Sequence, residues 1–289
     1  MLYHPFEVTP SFNGLRVLVL ESRRGRELGL IVTSYGGQPL VAPSMREVPL
    51  ESNAEAIAFA DDLIDGEFDI VMLLTGVGAR ALLDIVQRAR GTRKAFVEAL
   101  AETIVVVRGP KPLAVMRELQ VPVWLTAPEP NTWRELLAAL DERKSELSLD
   151  GLNVAVQEYG ASNPDLLAGL EARGARVTRV PVYQWALPED LEPLRQAVRA
   201  IAAGELDVAL FTSATQAVHL MKVADTMALR DAVRDQLQRM VIASIGPTTS
   251  EELRQQGIAV DLEPSHPKMG FLAREAAEQA ADIRRRKNP

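Results

Sequence analysis

The sequence predicts an α/β protein: two parallel-sheet domains of Rossmann or flavodoxin type, related by internal duplication and joined by two extended linker segments. Two patterns point there. Short apolar, β-branched runs alternate with helical periodicity and Gly- or Thr-rich turns, which implies βαβ units with right-handed crossovers. The chain also matches itself at an offset of about 137 residues, far beyond a solenoid period. Leu15-Arg16-Val17 answers Leu152-Asn153-Val154, Gly37 answers Gly174, and Asp69 answers Asp207 one residue further on. Thr75-Gly76-Val77-Gly78 lies against Thr212-Ser213-Ala214-Thr215, and Arg108-Gly109-Pro110 against Ile245-Gly246-Pro247.

The first strand is Leu15–Glu21, followed by the loop Ser22–Arg26 and a helix over Glu27–Tyr35 that ends at Gly36-Gly37. Gln38–Ala42 is a second strand, and Pro43–Pro49 an extended segment with proline at each end. Ala54–Ile64 reads as helix and Asp69–Leu74 as a buried strand stopped by Thr75–Gly78. Helices over Arg80–Arg90 and Thr92–Leu100 precede the strand Thr103–Val107, which Arg108–Pro112 stops. A helix over Leu113–Leu119 and a short strand at Val123–Leu125 follow, and Asn131-Thr132 caps the helix through Leu140.

The second copy repeats the plan. Leu152–Gln157 is its first strand, Tyr159–Asn163 its loop, and Asp165–Arg173 its helix, ended by Gly174. Arg176–Pro181 is strand, and Val182–Pro188 answers the earlier proline-bounded segment. Helix Glu192–Ala203, strand Asp207–Phe211, loop Thr212–Thr215 and helix Gln216–Val223 come next. A short helix over Asp231–Gln238 leads to the strand Val241–Ile245. Thr248 and Thr249, each with a glutamate three residues later, form a capping-box pattern that opens another helix. Ile258–Leu262 is the last strand and Met269–Arg285 the closing helix.

Composition narrows the function. The formal net charge of −7 argues against general nucleic-acid binding. With no cysteine there is no disulfide, thiolate nucleophile or zinc–thiolate site. His4, His219 and His266 are scattered and lack metal-ligand spacing, so no metal is expected. No apolar run reaches the length of a membrane span, and the N-terminal residues lack the order of a signal peptide. A cytoplasmic monomer is expected, without metal or membrane partner.

In parallel sheets ligands gather at the carboxyl ends of strands. The loops to weigh are therefore Ser22–Arg26, Thr75–Gly78, Arg108–Lys111, Tyr159–Asn163, Thr212–Thr215 and Gly246–Thr249. They offer hydroxyls, backbone N–H groups and the cations Arg23, Arg24, Arg26, Arg108 and Lys111, with neither paired carboxylates nor histidine. That set suits a ligand with several negative charges better than hydrolysis by a base or nucleophile. Gly76-Val77-Gly78-Ala79-Arg80-Ala81 fits the dinucleotide pattern G-x-G-x-x-[GA], but its context fails. It does not follow the first strand, the next strand ends in Arg108 rather than an acid for a ribose, and the answering loop has no glycine. No cofactor is expected.

Taken in order, these residues resemble the uroporphyrinogen-III synthase family over essentially the whole chain after its N-terminal extension. The resemblance rests on Ser244-Ile245-Gly246-Pro247-Thr248-Thr249, Phe211-Thr212-Ser213, Pro181-Val182-Tyr183-Gln184 and Leu74-Thr75-Gly76-Val77-Gly78. It implies one lobe of residues 1–47 and 183–289, a second of residues 48–182, and a substrate between them. It further implies closure of hydroxymethylbilane, a linear tetrapyrrole with eight carboxylates, to uroporphyrinogen III with ring D inverted and water lost, without a cofactor. The strand-end loops then supply the expected substrate-binding residues Thr75, Gly76, Val77, Gly78, Arg108, Gly109, Lys111, Thr212, Ser213, Ala214, Gly246, Thr248 and Thr249. Tyr183, on the second crossing segment, matches the family tyrosine proposed to help the hydroxyl depart. Arg108-Gly109-Pro110-Lys111-Pro112 departs from the family habit of small residues and threonine at that turn. The alternative functions are a non-catalytic two-lobed binder of a small polyanion or sugar, and an NADP-dependent enzyme using Gly76–Ala81.

Overall fold

The computed structural model describes residues 10–49, 53–158, 160 and 162–288. The N-terminal extension before residue 10, and Tyr159 and Ala161 of the loop weighed above, lie outside the described residues. Contacts divide the chain into two compact units: unit 1, Met1–Arg46 with Ala186–Pro289, and unit 2, Glu47–Trp185.

Unit 1 opens with β1 (Arg16–Val19), α1 (Gly25–Ser34) and β2 (Gln38–Val41), and β3 (Arg46–Pro49) leads out of it. Unit 2 then runs α2 (Ala54–Ile64), β4 (Ile70–Leu73), α3 (Gly76–Arg90), α4 (Arg93–Glu102), β5 (Ile104–Val107) and α5 (Pro110–Glu118). It continues through β6 (Leu125–Thr126), α6 (Trp133–Glu142), β7 (Asn153–Glu158), α7 (Pro164–Glu171) and β8 (Arg176–Pro181). After β9 (Tyr183–Ala186), unit 1 resumes with α8 (Glu192–Ala202), β10 (Val208–Phe211), α9 (Ala214–Thr226) and α10 (Arg230–Leu237). It closes with β11 (Val241–Ser244), α11 (Pro247–Gln255) and α12 (Met269–Lys287). The two linking strands, β3 and β9, pair as a two-stranded sheet.

Each unit holds one parallel sheet, in the order β11-β10-β1-β2 in unit 1 and β6-β5-β4-β7-β8 in unit 2. Each sheet thus joins the first strands of one repeat to the last strands of the other. The register repeats as well: Val17 pairs with Val208, and Ile70 with Val154. The strands β4, β10 and β11 are buried along their whole length, as expected where helices cover both faces of a parallel sheet. Alternation assigns the two faces of the unit 1 sheet. Leu18, Ala209, Phe211 and Ile242 join one apolar cluster, while Val17, Val19, Leu210 and Ala243 join another with α12 residues such as Ala276. Unit 2 divides in the same way.

The crossovers reverse direction between β1 and β10 in unit 1, and between β4 and β7 in unit 2. Those are the topological switch points, where the loops at strand carboxyl ends diverge.

Several elements differ from expectation: α3, α5 and α9 begin at Gly76, Pro110 and Ala214, inside the turns expected as loops, and two further differences have a local cause. Residues 258–262 form a single parallel bridge, Ala243 to Leu262, instead of a strand. The Asp261 carboxylate accepts the N–H of Ile242 at 2.8 Å and pairs with Lys287, which replaces the regular ladder there. Helix α11 starts earlier than its threonines suggest. Its N-cap is Gly246, without a side-chain cap bond, and Pro247 takes the first helical position. The Thr132 cap of α6 is a full capping box with Glu135.

Candidate functional site

The unit 2 edge is built by the turns that follow β4, β5 and β7. Thr75 is the N-cap of α3, and its Oγ1 accepts the Gly78 N–H at 3.0 Å. The two glycines here serve close packing. A β-carbon on Gly76 would stand 2.8 Å from the carbonyl oxygen of Lys111, and one on Gly78 would stand 2.1 Å from Nε2 of Gln157. So α3 begins hard against the first turn of α5 and against the end of β7. Val77 is exposed in that first turn.

Arg108 follows β5 and is half-buried. Its guanidinium has neither an ion pair nor a hydrogen-bond partner among the described residues, and burial lowers its pKa from the ordinary guanidinium value. The backbone beneath it is fixed. Arg108 N–H donates to Leu73 O at 3.1 Å. The Asn131 amide, oriented to satisfy its neighbours, donates to Ala127 O at 3.0 Å and Arg108 O at 3.2 Å. A β-carbon on Gly109 would meet that amide at 2.9 Å. Lys111 lies exposed in the first turn of α5, also without an ion pair among the described residues.

The unit 1 edge is arranged differently. Glu21 closes the turn after β1, accepting N–H groups from Arg23 at 3.1 Å and Arg24 at 3.3 Å and the hydroxyl of Thr212. Gln216, buried in α9, accepts the Thr212 N–H at 2.7 Å and donates to its Oγ1 at 2.8 Å. Thr212 is therefore engaged on its amide and its hydroxyl, and its value to a ligand is indirect. Ser213, the N-cap of α9, makes no side-chain cap bond and is half-buried, with Ala214 behind it at the first helical position. Thr248 is exposed, whereas Thr249 is buried and its N–H donates to Gly246 O at 3.1 Å. Gly246 has extended backbone and open space around it, so its turn does not demand glycine. Arg24, exposed, pairs with Glu27.

Tyr183 is 7% exposed. Its ring meets Trp185 edge-on at 5.6 Å and belongs to the apolar core of unit 2 with Phe59, Val180 and Val182. Its carbonyl accepts the N–H of Gly160, and a β-carbon on Gly160 would stand 2.0 Å from the Trp185 ring. This packing fixes β9 against the turn after β7.

Sequence reading passed over two acids. Glu158, at the end of β7, is buried, accepts the Ser162 hydroxyl at 2.6 Å and pairs with Arg179 at 2.9 Å. Glu21 and Glu158 stand at the same repeat offset, Glu158 as the last residue of β7 and Glu21 two residues past β1, and that offset was the available signal. Both are satisfied by local donors. Neither stands as an unpaired base. Among the described residues no three His, Asp or Glu side chains group as a metal site. No helix among them is long and apolar enough to cross a membrane.

A family model described as uroporphyrinogen-III synthase HemD matches residues 27–274. The chain belongs to the uroporphyrinogen-III synthase family. A Bacillus subtilis (strain 168) relative of this synthase family member, "Uncharacterized protein YjjA", is 29% identical over 269 residues, covering 92% of this chain and 96% of the relative. A mutant uroporphyrinogen III synthase from the extremely thermophilic bacterium Thermus thermophilus shares the fold with a TM-score of 0.71 at 23% identity, over 93% of this chain and 100% of that one. The wild-type Thermus enzyme in another crystal form gives a TM-score of 0.57 at 25% identity, over 93% and 99%. The α/β fold with two parallel sheets is that of these synthases.

Proposed function

We propose that this protein is an active uroporphyrinogen-III synthase, a cofactor-independent lyase of tetrapyrrole biosynthesis that works as a cytoplasmic monomer. It would close hydroxymethylbilane to uroporphyrinogen III, inverting ring D and releasing water. The observation that carries this reading is the family match over residues 27–274. The residue complement supports it. The strand-end turns supply the cations Arg108 and Lys111, unpaired among the described residues, hydroxyls at Thr75, Ser213 and Thr248, and helix first turns at Gly76-Val77 and Ala214. These groups suit the carboxylates of a tetrapyrrole.

In the reaction the C–O bond of the hydroxymethyl group breaks, and the departing hydroxide takes a proton and leaves as water. The carbon cation that remains is attacked by ring D at the α carbon that already carries the chain. The bond from that carbon to the methylene joining rings C and D then breaks. The methylene cation so released bonds to the unsubstituted α carbon of ring D, which loses its proton as the inverted macrocycle closes. The substrate reacts unaided toward the uninverted isomer, so the protein's main contribution is to hold the chain in the geometry that favours inversion. Tyr183 is the proposed proton donor to the departing hydroxyl.

Incubation with hydroxymethylbilane, oxidation of the products to porphyrins and separation of the I and III isomers tests the assignment. The III isomer is expected. Formation of isomer I alone, at the rate without protein, would overturn it in favour of a non-catalytic polyanion binder.

A further inference from the structure

The geometry points to Arg108 and Lys111 as a carboxylate-binding pair within unit 2, in which side-chain cations stand where the counterpart turn of unit 1 offers a neutral hydroxyl, and lower the stability of the free protein. The inference rests on the polycarboxylate reading above and deepens it. A helix normally offers free N–H groups at its first turn, and these hold anions. In α5, Pro110 and Pro112 remove two of the first three, leaving that of Lys111. The counterpart turn of α11, Pro247-Thr248-Thr249, has a single proline, the N–H of Thr248 and its exposed hydroxyl, with no charge, the Thr249 N–H being given to Gly246 O. One repeat thus keeps the neutral device and the other carries a charged one.

The charged device is unfavourable without a ligand. Lys111 places a cation at the positive end of the α5 dipole. Arg108 takes a guanidinium partly out of water with no counter-charge among the described residues, although paired groups such as Glu158 and Arg179 stand elsewhere in the same unit. The turn around them is nonetheless held closely, by Asn131 against Gly109 and by Gly76 against the Lys111 carbonyl. A bound carboxylate relieves both penalties at once. Arginine takes it in a planar, two-pronged contact, and lysine adds a point charge.

The test uses uroporphyrin I, an octacarboxylate that cannot react, titrated calorimetrically into the full chain at low and high NaCl. Arg108→Met should weaken binding about 10- to 100-fold and flatten its salt dependence, while raising the Tm of the ligand-free protein. Lys111→Thr combined with Pro112→Thr rebuilds the α11 device; it should retain most of the affinity with a weaker salt dependence. A lower Tm or failure to fold in Arg108→Met, or unchanged binding in both variants, overturns the inference. So does a wild-type protein that does not bind uroporphyrin I. Because this readout needs no turnover, it separates the two ideas. Binding through Arg108 without any III-isomer formation would remove the proposed activity and leave the site.

Discussion

Thr212 donates its hydroxyl to the Glu21 carboxylate, joining the ends of β10 and β1 at the switch point of unit 1 across 191 residues of sequence. With Gln216 on its amide and hydroxyl, Thr212 orders the turn that presents Ser213. Thr212→Val should therefore lower stability by about 1–3 kcal/mol, because the buried amide of Gln216 and the half-buried carboxylate of Glu21 lose a partner. Ser213→Ala should instead raise KM mildly, by about two- to threefold, with stability unchanged within about 0.5 kcal/mol. Urea unfolding and steady-state kinetics on both variants decide this. A large KM change with normal stability in Thr212→Val would make the threonine a direct ligand group.

The glycines of the strand-end turns are not equivalent. A β-carbon on Gly76 meets the backbone carbonyl of Lys111 at 2.8 Å, and a backbone atom cannot swing aside. One on Gly246 meets nothing nearer than Pro267 at 3.9 Å, on extended backbone. Gly76→Ala should cost about 1–3 kcal/mol through overpacking, and Gly246→Ala no more than about 0.5 kcal/mol. Thermal unfolding of the pair checks the contrast, and equal losses would contradict it.

The layout of the sheets was legible because local and tertiary signals agree there. Runs such as Ile70–Leu73 and Val208–Phe211 are apolar at every position, which only a doubly covered parallel strand needs. Where two signals compete, sequence pattern and structure part. Thr248 with Glu251 looks like a cap, but Pro247 is better placed at a first helical position and moves the start of α11 forward. The run Ile258–Leu262 looks like strand until Asp261 turns its carboxylate onto Ile242. At the candidate site, Arg108 and Lys111 were visible as charges after a strand. That Arg108 lacks a partner among the described residues, and that Thr212 is tied to Glu21, depends on residues far away in sequence.

His219 should make stability depend on pH. Its Nδ1 lies 2.8 Å from Ser44 O on the segment before β3, so the neutral ring donates from that nitrogen. Burial, aided by Lys222 and opposed by the Ser44 bond, holds its pKa below the ordinary value of 6.5. Between the two values the unfolded chain binds more protons, so stability rises with pH up to about 6.5 and this group adds no slope above that. Urea midpoints between about pH 5 and 8 should fall on the acid side in the wild type and flatten in His219→Gln. An unchanged slope in the variant would place the effect on other groups.

Tyr183 separates chemistry from packing. Its ring fills the core of unit 2 beside Trp185, so removing the ring and removing the hydroxyl are different experiments. Tyr183→Ala should cost about 3–5 kcal/mol, the scale of a deleted buried aromatic. Tyr183→Phe keeps the ring and its edge-on contact, and the fold should survive with a small loss. If the phenol donates the proton that carries hydroxide away as water, Tyr183→Phe should lower kcat about 10- to 100-fold, as one modest acid contact does. The III isomer should remain the main product, because inversion depends on how the chain is held rather than on how the hydroxyl leaves. The two readouts together are decisive. A slow variant that still makes the III isomer assigns the phenol to hydroxyl departure. A slow variant that makes isomer I instead assigns the ring to substrate shape. Full speed with normal isomer ratios leaves Tyr183 as packing and places the whole catalytic effect on positioning.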